Sequence, residues 1–164
     1  MLINGWTVIE HPKFLDQVDK LTAKVEALKA KDPKTYEQHS SSKLLIAINK
    51  LAYKVIPEDP TRPEYRLGDT LGAARKHWFR AKFGNGRFRL FFRFDSRAKI
   101  IMIVWVNDET TLRTYGSKTD AYAVFRKMLD NDDPPDNWDD LMAAARHPEV
   151  LARLESRKPP DLPE

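Results

Sequence analysis

Residues Trp78–Val106 read WFRAKFGNGRFRLFFRFDSRAKIIMIVWV. Asn85-Gly86 is the turn signal within it, because a type I′ hairpin needs two consecutive residues at positive φ. With that two-residue loop, Lys82 faces Arg89, Arg80 faces Phe91 and Ala81 faces Leu90 across two antiparallel strands. Side chains alternate between faces. One face therefore carries Phe79, Ala81, Phe83, Phe88, Leu90 and Phe92. The other carries Arg80, Lys82, Arg87, Arg89 and Arg93. A slip of one residue would send the arginines into the core, so the register is strongly specified.

A third strand, Lys99 to Val106, follows the turn Asp95-Ser96-Arg97-Ala98 and is apolar on both parities. Ile101, Ile103 and Trp105 alternate with Ile100, Met102, Val104 and Val106, which places this strand centrally with both faces covered. Upstream, Trp6-Thr7-Val8-Ile9 is a short strand that joins the sheet edge. Pro12 suits a first helical turn. Phe14, Val18, Leu21, Val25 and Leu28 recur at helical steps up to about Lys31, before Asp32-Pro33 breaks the pattern. A second helix is expected from near Pro33 to Ile56, strongest from Lys43 to Val55, with Ser40-Ser41-Ser42 marking a bend or a late start. Pro57 to Gly72 reads as a long connection.

Downstream, Asn107-Asp108-Glu109 is a polar loop and Thr110 to Tyr115 a short extended segment. Thr119 is the expected N-cap of a helix running to about Leu129, with Asp120 in its first turn. Trp138 to Arg157 has room for one or two helices interrupted near His147-Pro148. Lys158 to Glu164 is expected to be disordered. The fold class is α+β: an antiparallel twisted sheet with an N-terminal strand, a two-helix hairpin on one face, a basic cleft on the other, and C-terminal helices. Residues 1–135 are read as one domain and 136–164 as a helical extension.

The 164 residues carry a net charge of +4 and no cysteine. Disulfides, thiolate zinc sites and cysteine nucleophiles are thereby excluded. His11, His39, His77 and His147 do not fall at metal-binding spacings, so no cofactor is expected. No signal peptide or membrane span is apparent, and the expectation is a cytoplasmic protein. Between Arg75 and Lys99 nine basic residues stand against Asp95 alone. A solvated sheet face is the ordinary explanation for such residues. Like charges on one face repel across strands, however, which calls for a polyanionic partner.

Cleavage of RNA by its own 2′-hydroxyl needs a proton acceptor, cations for the phosphate and a proton donor for the 5′-oxygen. Positive neighbours disfavour the charged form of a lysine. Lys82, beside Arg80 and opposite Arg89, is the best-placed base. Arg89 and Arg87 suit bidentate phosphate binding. Tyr115 could stack on a base or pass a proton, or be a buried aromatic. Arg80, Arg93 and Arg113 could anchor phosphates elsewhere or pair with the acidic tail.

The order of elements resembles the RelE superfamily of bacterial ribonuclease toxins. Asn4-Gly5-Trp6, His11-Pro12, the stretch Gly86–Arg93 and above all NDETTLRTYGSKTDAYAVFRKML, residues 107–129, resemble the YhaV toxin family over about residues 4–140. The resemblance implies a metal-independent endoribonuclease, the toxin of a type II toxin–antitoxin pair, that cleaves mRNA in the ribosomal A site. The implied partner is a PrlF-like antitoxin of the AbrB type, through which the pair would reach operator DNA. Lys82 and Arg89 have the strand spacing of the RelE pair, Arg80 matches a second basic position, and Tyr115 falls where a tyrosine is expected. The second phosphate-binding arginine of the superfamily maps onto Glu109, and Arg113 is its implied substitute. The rival class is a non-catalytic RNA- or ribosome-binding module. A third reading is a regulatory partner that offers its basic face only to an acidic protein.

Overall fold

The computed structural model describes residues 1–157 and 159–160. Its centre is a five-stranded sheet of order β1-β2-β5-β4-β3. The strands are β1 (Leu2–Ile3), β2 (Trp6–Glu10), β3 (Phe79–Phe83), β4 (Phe88–Asp95) and β5 (Ile100–Val106). The hairpin has the expected register, with Lys82 opposite Arg89 and Ala81 opposite Leu90. Asn85 and Gly86 take φ of 57° and 77°, and Arg87 N donates to Gly84 O at 3.2 Å, as a type I′ turn requires.

The sheet is mixed, not antiparallel throughout. β2 runs parallel to β5, with Val8 opposite Ile101 and Glu10 opposite Ile103. An alternation of side chains fixes which face a strand buries, but it carries no direction, so a four-residue strand could not reveal this. β5 is central, as its apolar character demands. It also holds a bulge: Phe91 pairs with Trp105 but Phe92 pairs with Ile103, leaving Val104 as the extra residue. Val104 and Trp105 therefore share a face with Met102, and Val106 joins Ile101 and Ile103. Strict alternation had grouped Trp105 and Val106 the other way round.

Helix α1 (Pro12–Lys31) begins and ends as its periodicity predicts, capped by His11, whose Nδ1 accepts from Lys13 N at 3.1 Å. Helix α2 (Ser40–Lys50) starts at the serine run, with His39 as its cap. It continues through a π-helical turn, Leu51–Val55, into α3 (Ile56–Glu58). Phe14, Leu15 and Val18 of α1 and Ile48, Ala52 and Ile56 of the second helical run pack on Leu90, Phe92, Ile101 and Ile103.

The opposite face is not an open basic cleft. Helix α4 (Ala121–Asp130) and helix α5 (Trp138–Ala145) cover its middle. Phe125 stacks on Phe91 at 4.2 Å, and Trp78, Met102, Val104, Trp105, Leu129 and Leu141 complete this second core. Helix α6 (Pro148–Glu155) returns to the first core through Val150 and is tied to α1 by Arg153, paired with Asp16 and Asp19 at 2.9 and 2.7 Å. The break near His147-Pro148 lies where expected. The expectation for Lys158–Glu164 falls mainly on residues outside those described. No helix among the described residues is long and apolar enough to cross a membrane.

His11 is buried and must stay neutral to cap α1. Burial lowers its pKa to about 4, with Asp133 and Asp16 opposing that shift and Lys13 adding to it. The unfolded chain therefore binds a proton that the folded chain does not between about pH 6.5 and 4. Stability contributed by the neutral ring is complete above about 6.5 and is lost as pH falls through that window. Denaturant titration should show a loss on the order of 3 kcal/mol by pH 4 that His11→Asn, a non-titrating cap, largely abolishes.

Candidate active site

Tyr122 lies in the first turn of α4, and its side chain reaches down to the strand arginines. Its Oη accepts from Arg89 Nε at 2.7 Å and from Arg80 Nε at 2.9 Å. Both acceptor positions of the phenol are thus occupied by guanidinium groups, leaving the hydroxyl hydrogen to donate. The guanidinium carbons of Arg89 and Arg113 lie 5.4 and 5.0 Å from the Tyr122 ring centroid. Three arginines from two strands and a loop therefore converge on one tyrosine.

Arg89 is only 6% exposed. Its NH1 donates to Gly86 O and Phe88 O at 2.8 and 3.0 Å, so the hairpin end supplies the carbonyls that a buried cation needs. Arg80 is held at the sheet edge by Glu64 O and Arg66 O, at 3.0 and 2.7 Å. Lys82 stands between the two arginines, two residues along from Arg80 and opposite Arg89. It is exposed and borders a cavity of about 200 Å³ lined also by Arg62, Glu64 and Tyr65. Arg87 is exposed on the hairpin turn.

The loop after β5 brings the remaining groups. Asn107, 2% exposed, accepts from Arg89 N at 2.7 Å and donates to Arg87 O and Thr111 O at 3.1 and 2.8 Å. Arg113 N donates to Arg87 O at 3.0 Å. Thr110 to Tyr115 forms no strand: a turn at Glu109–Thr110 and a bend at Thr111 lead into an irregular stretch, 112–114, and a second turn begins at Tyr115. Arg113 pairs with Asp120 and lies 4.6 Å from the Tyr115 ring centroid. Tyr115 itself is 92% exposed, so it is not a buried aromatic.

Asp120, not Thr119, caps α4: its carboxylate accepts from Tyr122 N at 3.0 Å. The cap lies one residue further on than expected. Tyr122, absent from the sequence-derived site, had a readable signal. With Phe125 and Leu129 it forms an i, i+3, i+7 stripe, and a phenol on a buried stripe facing arginines needs acceptor or donor partners.

Two expected residues lie elsewhere. Arg93 is sandwiched between Trp78 and Trp138, at 5.2 and 5.3 Å from their centroids, and donates to Asp136 O at 2.6 Å. Burial lowers its pKa against the pull of Asp136. Asp136 also accepts from Trp78 Nε1 and His77 Nε2, so this cluster ties the start of β3 to the segment before α5. Glu109 points to α1, where it pairs with Lys24 at 3.2 Å. Its neighbour Asp108 accepts from Gln17, Thr110 and Thr111. Burial pushes its carboxyl up, but these hydrogen bonds prevail and hold it below the usual range.

A profile of the YhaV family, described as "Toxin with endonuclease activity, of toxin-antitoxin system", matches residues 8–146. The chain belongs to the YhaV toxin family. It is 49% identical over 140 residues to "Toxin YhaV" of Escherichia coli strain CFT073, covering 85% of this chain and 91% of that one. It is 48% identical, with the same coverage, to "Ribonuclease toxin YhaV" of Escherichia coli strain K12. No solved structure matches this chain. Family membership makes an antitoxin its partner.

Asn107 is the joint between the hairpin and the loop of this candidate site in the YhaV-family chain. Replacing it by leucine strands the Arg89 N–H and the Thr111 carbonyl, while Arg87 O keeps its bond from Arg113 N; each unpaired group costs about 1–3 kcal/mol when buried. Urea denaturation of Asn107→Leu should therefore show a loss of about 3 kcal/mol.

Proposed function

We propose that this chain is the endoribonuclease toxin of its pair, cleaving mRNA in the ribosomal A site by attack of the 2′-hydroxyl. The observation that carries the reading is the Tyr122 hydroxyl held between Arg80 and Arg89. The name of the K12 relative, a ribonuclease toxin, agrees with it. The RelE-like fold is part of the same proposal. So are a cytoplasmic site of action and a PrlF-like, AbrB-type antitoxin through which operator DNA would be bound.

In this reading Lys82 takes the 2′-hydroxyl proton as the 2′-oxygen bonds to phosphorus. Arg87, Arg89 and Arg113 stabilise the charge on the phosphorane oxygens. The bond from phosphorus to the 5′-oxygen breaks, and Tyr122 donates its proton to that oxygen. The charge left on the phenol oxygen lies between two guanidinium groups. The products are a 2′,3′-cyclic phosphate and a 5′-hydroxyl. Each step uses a protein group, so the reaction is metal-independent as proposed. Tyr115, exposed beside Arg113, offers a face on which a base can stack. The proton-transfer role that the sequence offered to Tyr115 moves to Tyr122, whose hydroxyl is the one that two cations hold. Arg80 polarises Tyr122. Arg93, enclosed by two indoles, contributes to packing and not to RNA contact.

The test is mRNA integrity in a translation extract given purified protein, with and without active ribosomes. Wild-type protein should cut translated message and leave free RNA intact. Tyr122→Phe should slow cleavage by about 10²–10⁴-fold, the usual range for a lost acid–base group; it also leaves Arg89 Nε without its acceptor, so a stability loss of about 1–3 kcal/mol is expected and the comparison is made where circular dichroism shows both proteins folded. Lys82→Arg should be equally impaired, since arginine stays protonated. Full cleavage by both variants would overturn the mechanism, and intact message with translation still inhibited would favour a binding module.

A further inference from the structure

Asp120 sits at the point where the α4 cap and the arginine cluster meet. It is 5% exposed. One carboxylate oxygen caps α4 through Tyr122 N at 3.0 Å. The other accepts from Thr114 N at 2.6 Å and from Arg113 NH1. A cap alone does not explain a buried carboxylate, because serine or asparagine caps a helix as well. What asparagine cannot supply is a counter-charge for Arg113. That pairing leaves the guanidinium fixed at one nitrogen, with the Tyr122 ring 5.0 Å from its central carbon. Among the described residues, its Nε and second terminal nitrogen have no hydrogen-bond partner.

We infer that Asp120 is a positioning residue for the cleavage reaction, aiming the free edge of Arg113 at the scissile phosphate; the inference rests on the ribonuclease reading above. The Tyr115 and Tyr122 rings, 4.6 and 5.0 Å from its guanidinium carbon, flank Arg113 but fix no direction for its N–H edge; the Asp120 pairing does, which removes that entropy from the transition state. Because Asp120 acts through Arg113, its charge matters only while Arg113 is present. The opposite role, sequestering Arg113 from RNA, would make removal of the charge speed cleavage.

The experiment is a double-mutant cycle of Asp120→Asn and Arg113→Ala, read as kcat and half-saturating concentration of programmed ribosomes in the extract assay. Asp120→Asn keeps the capping oxygen but sets an amide NH2 against Thr114 N–H and Arg113, so its melting temperature should fall while the fold, checked by circular dichroism, is retained and activity is compared below that transition. Its kcat should fall about ten- to hundredfold with half-saturation little changed. In the Arg113→Ala background it should cause no further loss. Should the asparagine variant fold poorly, Asp120→Ser, which also caps, carries the same expectation. An unchanged or raised kcat for Asp120→Asn would overturn the inference while leaving the ribonuclease reading intact. So would an equal loss in both backgrounds. Full activity of Arg113→Ala alone would instead remove Arg113 from the mechanism, and the inference with it.

Discussion

A buried guanidinium must find acceptors, and the arrangement around Arg89 follows from that need. Its Nε goes to the Tyr122 hydroxyl and its NH1 to the carbonyls of Gly86 and Phe88. None of these partners carries a formal charge. Removing a cation from water costs several kcal/mol unless charge or dipoles replace the water. Here dipoles do so, and they leave the positive charge uncancelled. Arg80, Lys82, Arg87, Arg89 and Arg113 make five cations around the site. Asp120 is the carboxylate that pairs with one of them. A phosphodiester carries the kind of counter-charge this cluster lacks, and the proposed function draws on that complementarity.

The cluster exists only because both sheet faces are covered unequally. On one face the helical pair α1 and α2 seals the aromatic positions of β3 and β4. On the other, α4 covers Phe91 and its neighbours, with Arg89 buried beneath its first turn and Lys82 and Arg87 exposed beyond it. The bulge at Val104 makes this fit: it sets Val104 and Trp105 side by side on the α4 face. Trp105 then stacks 5.7 Å from Phe125 and 5.8 Å from Phe91. Aromatic packing at these separations fixes how α4 lies on the sheet, and with it where Tyr122 points.

Much of the fold was legible because it is encoded locally. The hairpin register needs only Asn85-Gly86 and the alternation around it, and α1 needs only its apolar period and Pro12. Lys82, Arg89 and Arg80 could be placed from that register alone. What escaped depends on contacts distant in sequence. The parallel run of β2 along β5 is set by chain routing, and the bulge by the packing of α4. By parity Arg93 belongs with the other arginines, but Trp78 and Trp138 enclose it, and Trp138 lies 45 positions further along the chain. Tyr122 was hidden by a cap displaced by one residue. Thr119 and Asp120 both satisfy capping chemistry, and only the approach of Arg113 and Thr114 selects the aspartate.

The loop from Asn107 to Tyr115 turns the two layers into one device. Its first residue bonds both β4 and the loop itself, and its acidic pair reaches across to α1, where Gln17 Nε2 holds Asp108 at 3.1 Å and Lys24 holds Glu109. Its far end bonds the hairpin through Arg113 N and α4 through Asp120. Exposed ion pairs like that of Lys24 contribute about 1 kcal/mol or less, so they do not hold the loop by strength. The buried Asn107 does, since the Arg89 N–H and the Thr111 carbonyl depend on its side chain and Arg87 O shares it with Arg113 N. Glu109, at the position where an arginine was expected, helps brace the loop from the α1 side, and Arg113, four residues later, brings the cation to the other side. Glu109 faces α1, and the chain between the two residues brings the Arg113 guanidinium to the tyrosine that Arg80 and Arg89 already hold.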